Sequence, residues 1–406
     1  MKFGLLGGKL GHSFSPQIHA HLADYEYKLY PMPEEEVEGW VRNCDLDGFN
    51  VTIPYKETVF RLCDELTDRA KKIGCVNTIK KLPNGKIFGD NTDYYGFSYM
   101  VKKLGVEVKG KKVLIVGNGG ASKTAQAVIS DMGARETVVV SRQDNTPETL
   151  AKHTDTEILV NTSPVGMYPK NGVSPVSLDF FPDCEGIIDV IYNPSRTELI
   201  IQGEKRGIPC INGLSMLVAQ AKLGCEIFTG KEIADSETDR ITKEIEKQTK
   251  NIIIIGMPGC GKTTAGKNLA AMTGKEFVDS DVVIRKNTGR TPSDIIIKDG
   301  EPSFRRIETE VLRDLCKESG RIIATGGGVV TVPENKDILQ QNGTVIFLQR
   351  DLSVLDRKDR PLSKNIPELY KKRLPLYRDF ANAEVEGKEN EKDTAAAVLA
   401  AWEANI

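Results

Sequence analysis

Histidine, paired cysteine, excess charge of one sign and long hydrophobic runs are scarce or missing in this chain, and each absence narrows the reading. Only four histidines occur in 406 residues. His19 and His21 stand two apart, which on a helix aims them in different directions, so a metal pair is not expected. The eight cysteines are dispersed, with no CxxC pair and no zinc-finger spacing. That excludes a disulfide or zinc framework and fits a reducing compartment. A net charge of -2 supplies no global basic field for nucleic acid. The longest aliphatic run, residues 252–255, is far too short to span a bilayer. The opening MKFGLLGGKLGHSFSPQ lacks the apolar core and cleavage site of a signal peptide. A soluble, cytoplasmic protein without membrane or nucleic-acid partners is expected, its oligomeric state left open.

What is present is enough apolar material for two or three domains, 39% hydrophobic residues arranged in short runs between helical segments. That alternation is the pattern of parallel α/β sheets. A first block covers residues 1–101 and contains KFGLLGG, GFNVTIPYK and GCVNTI. A second, residues 102–213, opens with KKVLIVGNGG and continues through VVVSR, EILVNTSP and GIIDVIY. Residues 214–248 are expected to return to the first block, closing with a helix whose Ile241 and Ile245 lie four apart on a polar background. Near Thr249 the pattern restarts with NIIIIGMPGCGKTT, so residues 249–406 are read as a further domain.

Residues 256–263 match G-x-x-x-x-G-K-[ST] in full, preceded by a strand-like run and followed by a helix-like one. Glycines let the backbone wrap phosphates while helix-start amides face the anion. Lys262 is placed to reach the β- and γ-phosphates of ATP, and the Thr263 hydroxyl to coordinate Mg²⁺. FVDSD sets Asp279 and Asp281 two apart at a strand end, hence on one side; one can serve the hydrated metal and the other an acceptor hydroxyl. Arg305 and Arg306 in PSFRRIE, Gly326–Gly328 after a strand, and Arg360 and Arg373 further on suggest a carboxylated acceptor, because guanidinium matches carboxylate as a fork. In order and spacing, GMPGCGKT, DSD, FRRIE, TGGG, RPL and RLPLY resemble the shikimate kinase family. The resemblance implies that Asp281, Arg305, Gly327 and Arg373 hold shikimate, with Asp281 and Lys262 catalytic. It makes Arg360 the lid arginine facing the transition state and sets Arg357 near the adenine. Gly256, Gly259, Gly261, Lys262, Thr263 and Thr264 would then bind ATP, and Thr263 with Asp279 the metal.

In the first half, Gly117, Gly119 and Gly120 follow a strand as a dinucleotide-type turn, with Ser122 where a third glycine is usual. VVVSR puts Arg142 where NAD enzymes carry an acidic residue, which favours the 2′-phosphate of NADP. Hydride reduction of a ketone needs a proton donor at the developing alkoxide, and Lys56 with Asp93 is a candidate pair. Ser15 before Pro16 reads as a helix N-cap, leaving Ser13 without such an explanation. Asn50, Thr52 and Asn77 at strand ends suit a polyhydroxylated ligand. The motifs GHSFSP, FNVTIPYK, GCVNTI, GDNTDYYG, GNGGA, NTSPVGM, DVIYNP and INGLSMLVAQA resemble the shikimate dehydrogenase family over residues 1–248. The resemblance implies Lys56 and Asp93 as the catalytic pair. Ser13, Ser15, Thr52, Asn77, Tyr192 and Gln220 would surround the substrate. Gly117, Gly119, Gly120, Ala121, Arg142, Thr162 and Gly213 would line the NADP(H) site.

The expected architecture is thus an α/β substrate domain and a Rossmann NADP domain, followed by a P-loop kinase domain with a parallel sheet. The expected activity is a fusion that reduces 3-dehydroshikimate and phosphorylates the resulting shikimate. Three rivals stand beside it: quinate oxidation with NAD, a catalytically silent N-terminal binding module, and a kinase for gluconate-like sugars.

Overall fold

The computed structural model describes residues 1–11, 13–355 and 366–406, so Arg357 and Arg360 lie outside the described residues. The chain forms two compact units, Met1–Thr242 and Lys243–Ile406. The division falls within the helix Asp235–Thr249, in which Ile241 and Ile245 are fully buried.

The first unit contains two sheets. Strands β1 (Lys2–Gly7), β2 (Glu26–Pro31), β3 (Gly48–Val51), β4 (Glu65–Leu66), β5 (Thr78–Lys81) and β6 (Ile87–Asp90) assemble in the order β2-β1-β3-β5-β6-β4. The parallel pattern expected from the sequence holds for β1 with β2 and β3 and for β4 with β6, but β5 runs antiparallel to both of its neighbours. Its antiparallel pairing with β6 follows from a short Asn84-Gly85 turn. Gly85 takes φ +81°, the Lys86 amide donates to the Asn84 side chain, and Leu82 donates to the Lys86 carbonyl at 2.9 Å. Asn-Gly between two apolar runs is a hairpin signal, and it reverses the chain between β5 and β6. Leu6, Phe49, Val51, Val76 and Ile79 form the core on this sheet.

Strands β7 (Lys112–Val116), β8 (Glu136–Val140), β9 (Ile158–Asn161), β10 (Gly186–Asp189) and β11 (Cys210–Ile211) form a second, wholly parallel sheet in the order β8-β7-β9-β10-β11. The strand order reverses between β7 and β9, and ligands of such sheets bind outside the carboxyl ends at that reversal.

The second unit holds one parallel sheet of β12 (Asn251–Ile255), β13 (Glu276–Asp279), β14 (Arg321–Ala324), β15 (Gly343–Gln349) and β16 (Ala383–Glu386), ordered β13-β14-β12-β15-β16. All five residues of β12 are buried because it is flanked on both edges and covered on both faces, which explains an uninterrupted aliphatic run. The phosphate loop therefore springs from the most deeply rooted strand of its domain. Among the described residues no helix is long and apolar enough to cross a membrane.

Candidate active sites

After β3 the chain turns tightly, with the Gly8 amide donating to the Ile53 carbonyl at 3.1 Å and Thr52 to that of Leu6 at 2.9 Å. The helix Lys56–Phe60 then starts at the catalytic candidate itself. Asp93 opens the helix Asp93–Leu104, where the amides of a first turn favour an anion. The Lys56 ammonium is bonded to one Asp93 oxygen, and Asn77 donates to the other at 2.9 Å. Asn77 in turn accepts from the Thr92 amide at 2.7 Å, so its amide orientation is set. Gln220, 143 residues further along, accepts from Asn77 at 3.3 Å. Four residues expected at this site thus form one hydrogen-bonded cluster.

Gly96 makes that convergence possible. A Cβ there would lie 2.5 Å from the Met216 carbonyl oxygen and 3.1 Å from Cβ of Gln220, so only glycine lets the helices Asp93–Leu104 and Leu214–Thr229 approach so closely.

The serine loop corrects one expectation. The helix Ser15–Leu22 begins at Ser15, and no side chain caps it. Instead the Ser15 amide donates to the Ser13 hydroxyl at 3.2 Å, so Ser13 rather than Ser15 supplies the local side-chain bond before this helix. Pro16 therefore falls at the second helical position, leaving the buried Ser15 hydroxyl within reach of Tyr27. Tyr27 donates to Asn50 at 2.7 Å, Asn50 to Thr78 at 3.0 Å, and Thr78 to Asn77 at 3.2 Å. A relay of polar groups therefore connects Tyr27 to the Lys56–Asp93 pair. Tyr192 joins from the second sheet, its ring edge-on to Phe14 at 5.9 Å. Thr52 packs beside Gly7, where a Cβ would meet its methyl at 2.6 Å. His19, buried against the Tyr27 ring at 4.0 Å, is pushed down to about 3 by burial, and its Nδ1 lies 2.6 Å from the Tyr25 hydroxyl. It is a neutral core histidine.

At the second sheet, Gly117 takes φ +110° and packs on Thr162, whose hydroxyl donates to the Val116 carbonyl at 2.8 Å. Gly119 and Gly120 start the helix Gly120–Asp131 and have no neighbouring atom within 4 Å of a built Cβ. That open backbone at a helix start fits a dinucleotide pyrophosphate. Ala121 follows half-buried, and Arg142 is exposed two residues past β8. Gly213 has a steric reason to be glycine, since a Cβ would lie 2.0 Å from the Val190 oxygen. Sequence reading passes over Asn161 and Asp189, at the ends of adjacent strands. The buried Asp189 accepts from Asn161 at 3.0 Å, Thr197 at 2.7 Å and the Ile191 amide at 3.0 Å, and burial pushes it up to about 6.

In the second unit a cavity of about 930 Å³ is bordered by the phosphate loop, Asp281, Arg305, Gly326–Gly328 and Arg373. Gly256, Gly259 and Gly261 take φ of +150°, +83° and +97°, values that favour glycine. Lys262 starts the helix Lys262–Thr273 and donates to the carbonyls of Gly256 at 3.0 Å and Met257 at 2.9 Å. Thr263 donates to Asp279 at 2.7 Å; two adjacent oxygen donors at the loop fit a hydrated Mg²⁺. Thr264 borders the same cavity. Asp279 and Asp281 do share a side, but not through strand alternation. The strand stops at Asp279, which caps the helix Ser280–Thr288 by accepting from the Asp281 amide at 3.0 Å.

Arg305 is gripped by Glu301, through Nε at 3.2 Å and Nη2 at 2.8 Å, and by Glu308 through Nη1 at 2.6 Å. One N–H on each terminal nitrogen is left over from the five a guanidinium carries, which suffices for a bidentate carboxylate. Glu308, fully buried and pushed up by burial, is not singled out by sequence reading although it lies three residues after Arg305 in FRRIE. Arg373 donates to the Gly327 carbonyl at 3.1 Å, and the Tyr377 hydroxyl donates to the same oxygen. Arg306 instead reaches Ser303 on the exposed side.

The folds and the two sites define an α/β chain that joins a dinucleotide-binding half to a phosphate-loop half. The family profile described as Shikimate dehydrogenase substrate binding domain matches residues 5–79, and that described as Shikimate kinase matches residues 258–403. The chain is 35% identical over 268 residues to shikimate dehydrogenase (NADP(+)) of Clostridium beijerinckii, a match that covers 61% of this chain and 99% of that protein. Among solved structures, a chorismate mutase/shikimate 5-dehydrogenase fusion protein from Clostridium acetobutylicum is 34% identical with a TM-score of 0.56, over 60% of this chain and 97% of the other. Shikimate 5-dehydrogenase from Thermus thermophilus, in complex with NADP(H) and shikimate, is 28% identical with a TM-score of 0.54, over 60% and 99%. The chain belongs to the shikimate dehydrogenase family and carries a shikimate kinase domain behind the dehydrogenase half.

Proposed function

We propose that this chain catalyses two consecutive reactions, reduction of 3-dehydroshikimate to shikimate and phosphorylation of the hydroxyl that reduction creates. The observation that carries the first step is the Lys56 ammonium bonded to Asp93, itself held by Asn77 and, through it, Gln220. In this reading bound NADPH supplies the hydride, and ATP with Mg²⁺ the phosphoryl group. Lys56 holds the proton at the substrate carbonyl oxygen and releases it as the alkoxide forms, and Asp93 keeps the ammonium aimed. Ser13, Ser15, Thr52 and Tyr192 surround the ring, while Gly117, Gly119, Gly120, Ala121, Thr162 and Gly213 line the nucleotide, with Arg142 at its 2′-phosphate.

For the second step, Arg305 and Arg373 hold the ring carboxylate and Gly327 its hydroxyl side. Asp281 accepts the hydroxyl proton as the oxygen attacks, and the loop amides with Lys262 bear the charge on the phosphates. Arg357 and Arg360 keep their family roles in this reading.

One purified protein assayed twice tests it. NADP⁺ with shikimate is expected to raise absorbance at the reduced-nicotinamide band, and shikimate is expected to stimulate ATP consumption. A strong signal with NAD⁺ and none with NADP⁺ would overturn the cofactor assignment. Stimulation by gluconate in place of shikimate would overturn the acceptor.

A further inference from the structure

Arg350 has no role in the reading above, yet it borders the kinase cavity alongside the phosphate loop. It is the first residue after β15, and β15 pairs with β12, whose end launches the phosphate loop. The two strand ends are packed tightly, since a Cβ on Gly256 would lie 2.5 Å from the Leu348 carbonyl oxygen. The arginine stem rests against Gly387, where a Cβ would sit 3.7 Å from Cδ of Arg350, and Gly387 is tied to Gln349 by a 2.8 Å backbone bond. So propped, the guanidinium reaches the loop, with Nη1 3.3 Å from where a Cβ on Gly261 would be.

Its electrostatic setting differs from that of the acceptor-side arginines. Arg305 is neutralised by two glutamates, and Asp279 is committed to Thr263 and to its own helix cap. Among the described residues no carboxylate pairs with Arg350, which borders the same cavity as the Lys262 ammonium. Two cations that converge on one loop without an anion between them repel each other, and a polyanion there relieves the repulsion. A guanidinium also offers a fork that fits two phosphate oxygens.

We infer that Arg350 is a nucleotide-binding residue of the kinase site that contacts the phosphate chain of ATP from the β15 side. The inference rests on the kinase reading and adds a cation that the phosphate-loop motif does not contain. The discriminating probes are MgADP and magnesium tripolyphosphate, which has the phosphate chain but no base, titrated calorimetrically into the full chain.

Arg350→Ala is expected to weaken both ligands by about ten- to a hundredfold, the worth of a charged hydrogen bond. Arg350→Lys should restore only part of the loss, because an ammonium cannot act as a fork. In steady state the KM for ATP should rise while the KM for shikimate stays within about twofold, a split that a general packing defect would not produce. Unchanged tripolyphosphate binding in Arg350→Ala would overturn the inference, and a loss confined to MgADP would reassign the residue to the base. Failure of the wild-type chain to bind MgADP would overturn the kinase reading itself, which keeps the two failures apart.

Discussion

Gly96→Ala tests how the dehydrogenase site is assembled. The added methyl would lie 2.5 Å from the Met216 carbonyl oxygen and 3.2 Å from the Gln220 amide nitrogen. Both are backbone atoms of the helix Leu214–Thr229, so no rotamer change removes the clash. Relief requires the two helices to part by about 1 Å to reach an ordinary contact. The overpacking costs roughly 1–3 kcal/mol, against a gain of about 1 kcal/mol for replacing a helical glycine by alanine, which leaves a net loss of at most about 2 kcal/mol. The functional effect should be larger than that figure implies. Asp93 precedes Gly96 by three residues, and the Asn77–Gln220 bond is already 3.3 Å long, so a further ~1 Å breaks it. A misplacement of that size costs about a hundredfold in rate.

The assay is shikimate oxidation with NADP⁺, run beside shikimate-dependent ATP consumption on the same preparation and beside urea unfolding. Oxidation should fall by roughly ten- to a hundredfold and kinase turnover should hold. Gly39→Ala is the control, since that helical glycine has no atom within 4 Å of a built Cβ; it should be neutral or slightly stabilising. Wild-type oxidation rates in Gly96→Ala would refute the argument that helix proximity positions Asp93 and Gln220.

Lys56→Ala should abolish reduction and leave kinase turnover largely intact, with Lys262→Ala doing the reverse; loss of both activities in either folded variant would refute independent sites. Gly328→Ala places a methyl 1.9 Å from Nη2 of Arg305, and the two glutamates prevent that guanidinium from swinging aside. The KM for shikimate in the kinase assay should rise about tenfold or more, and an unchanged KM would show that Arg305 does not touch the acceptor. His19 predicts acid sensitivity. Its folded pKa of about 3 lies below the ordinary histidine value of 6.5, so its contribution is present above pH 6.5 and is lost as pH falls. The slope is about 1.4 kcal/mol per pH unit, or about 2 kcal/mol by pH 5. Asp189 acts oppositely, its pKa being raised to about 6, so its contribution is present below the usual carboxylate range and lost as pH rises through 6. The test is therefore the difference between wild type and His19→Gln in urea midpoints at pH 7.5 and 5; parallel losses in both proteins would sink it.

The phosphate loop is legible in the sequence because its glycines are dictated by backbone conformation, at φ of +83° and +97° for Gly259 and Gly261, and local sequence carries such requirements directly. The strand before it is legible for a similar reason, since a strand covered on both faces must be apolar throughout. Less is legible where a contact spans the chain. Nothing near Gly96 announces Met216, and the pairing of Asn77 with Gln220 joins residues 143 apart. The serine loop misleads because proline after serine fits two helix registers, and only the tertiary position of the buried Ser15 decides between them. The antiparallel β5 escapes a parallel reading of the pattern although its signal, Asn84-Gly85, is in plain view. Arg350 does not stand out because an arginine past a strand is a common surface residue until the opposing glycine is known.

The buried polar groups of the two units argue for function over stability. Asn50, Asn77, Thr78, Thr92 and Asp93 are all buried, and an apolar set of the same volume would avoid their desolvation at no loss of packing. They persist as one connected network that ends at the Lys56 ammonium. Within it Asn77 cannot flip, because its oxygen accepts from the Thr92 amide while its nitrogen donates to Asp93. A carboxylate held by two donors on separate elements keeps its direction, as the proton transfer proposed for the lysine requires. Glu308 has the corresponding place in the kinase domain, a buried acid whose partner Arg305 faces the cavity. In both domains a buried side chain fixes the charged group that the proposed function sets against the substrate, and such preorganisation is what lets a charge stabilise a transition state without first rearranging its surroundings.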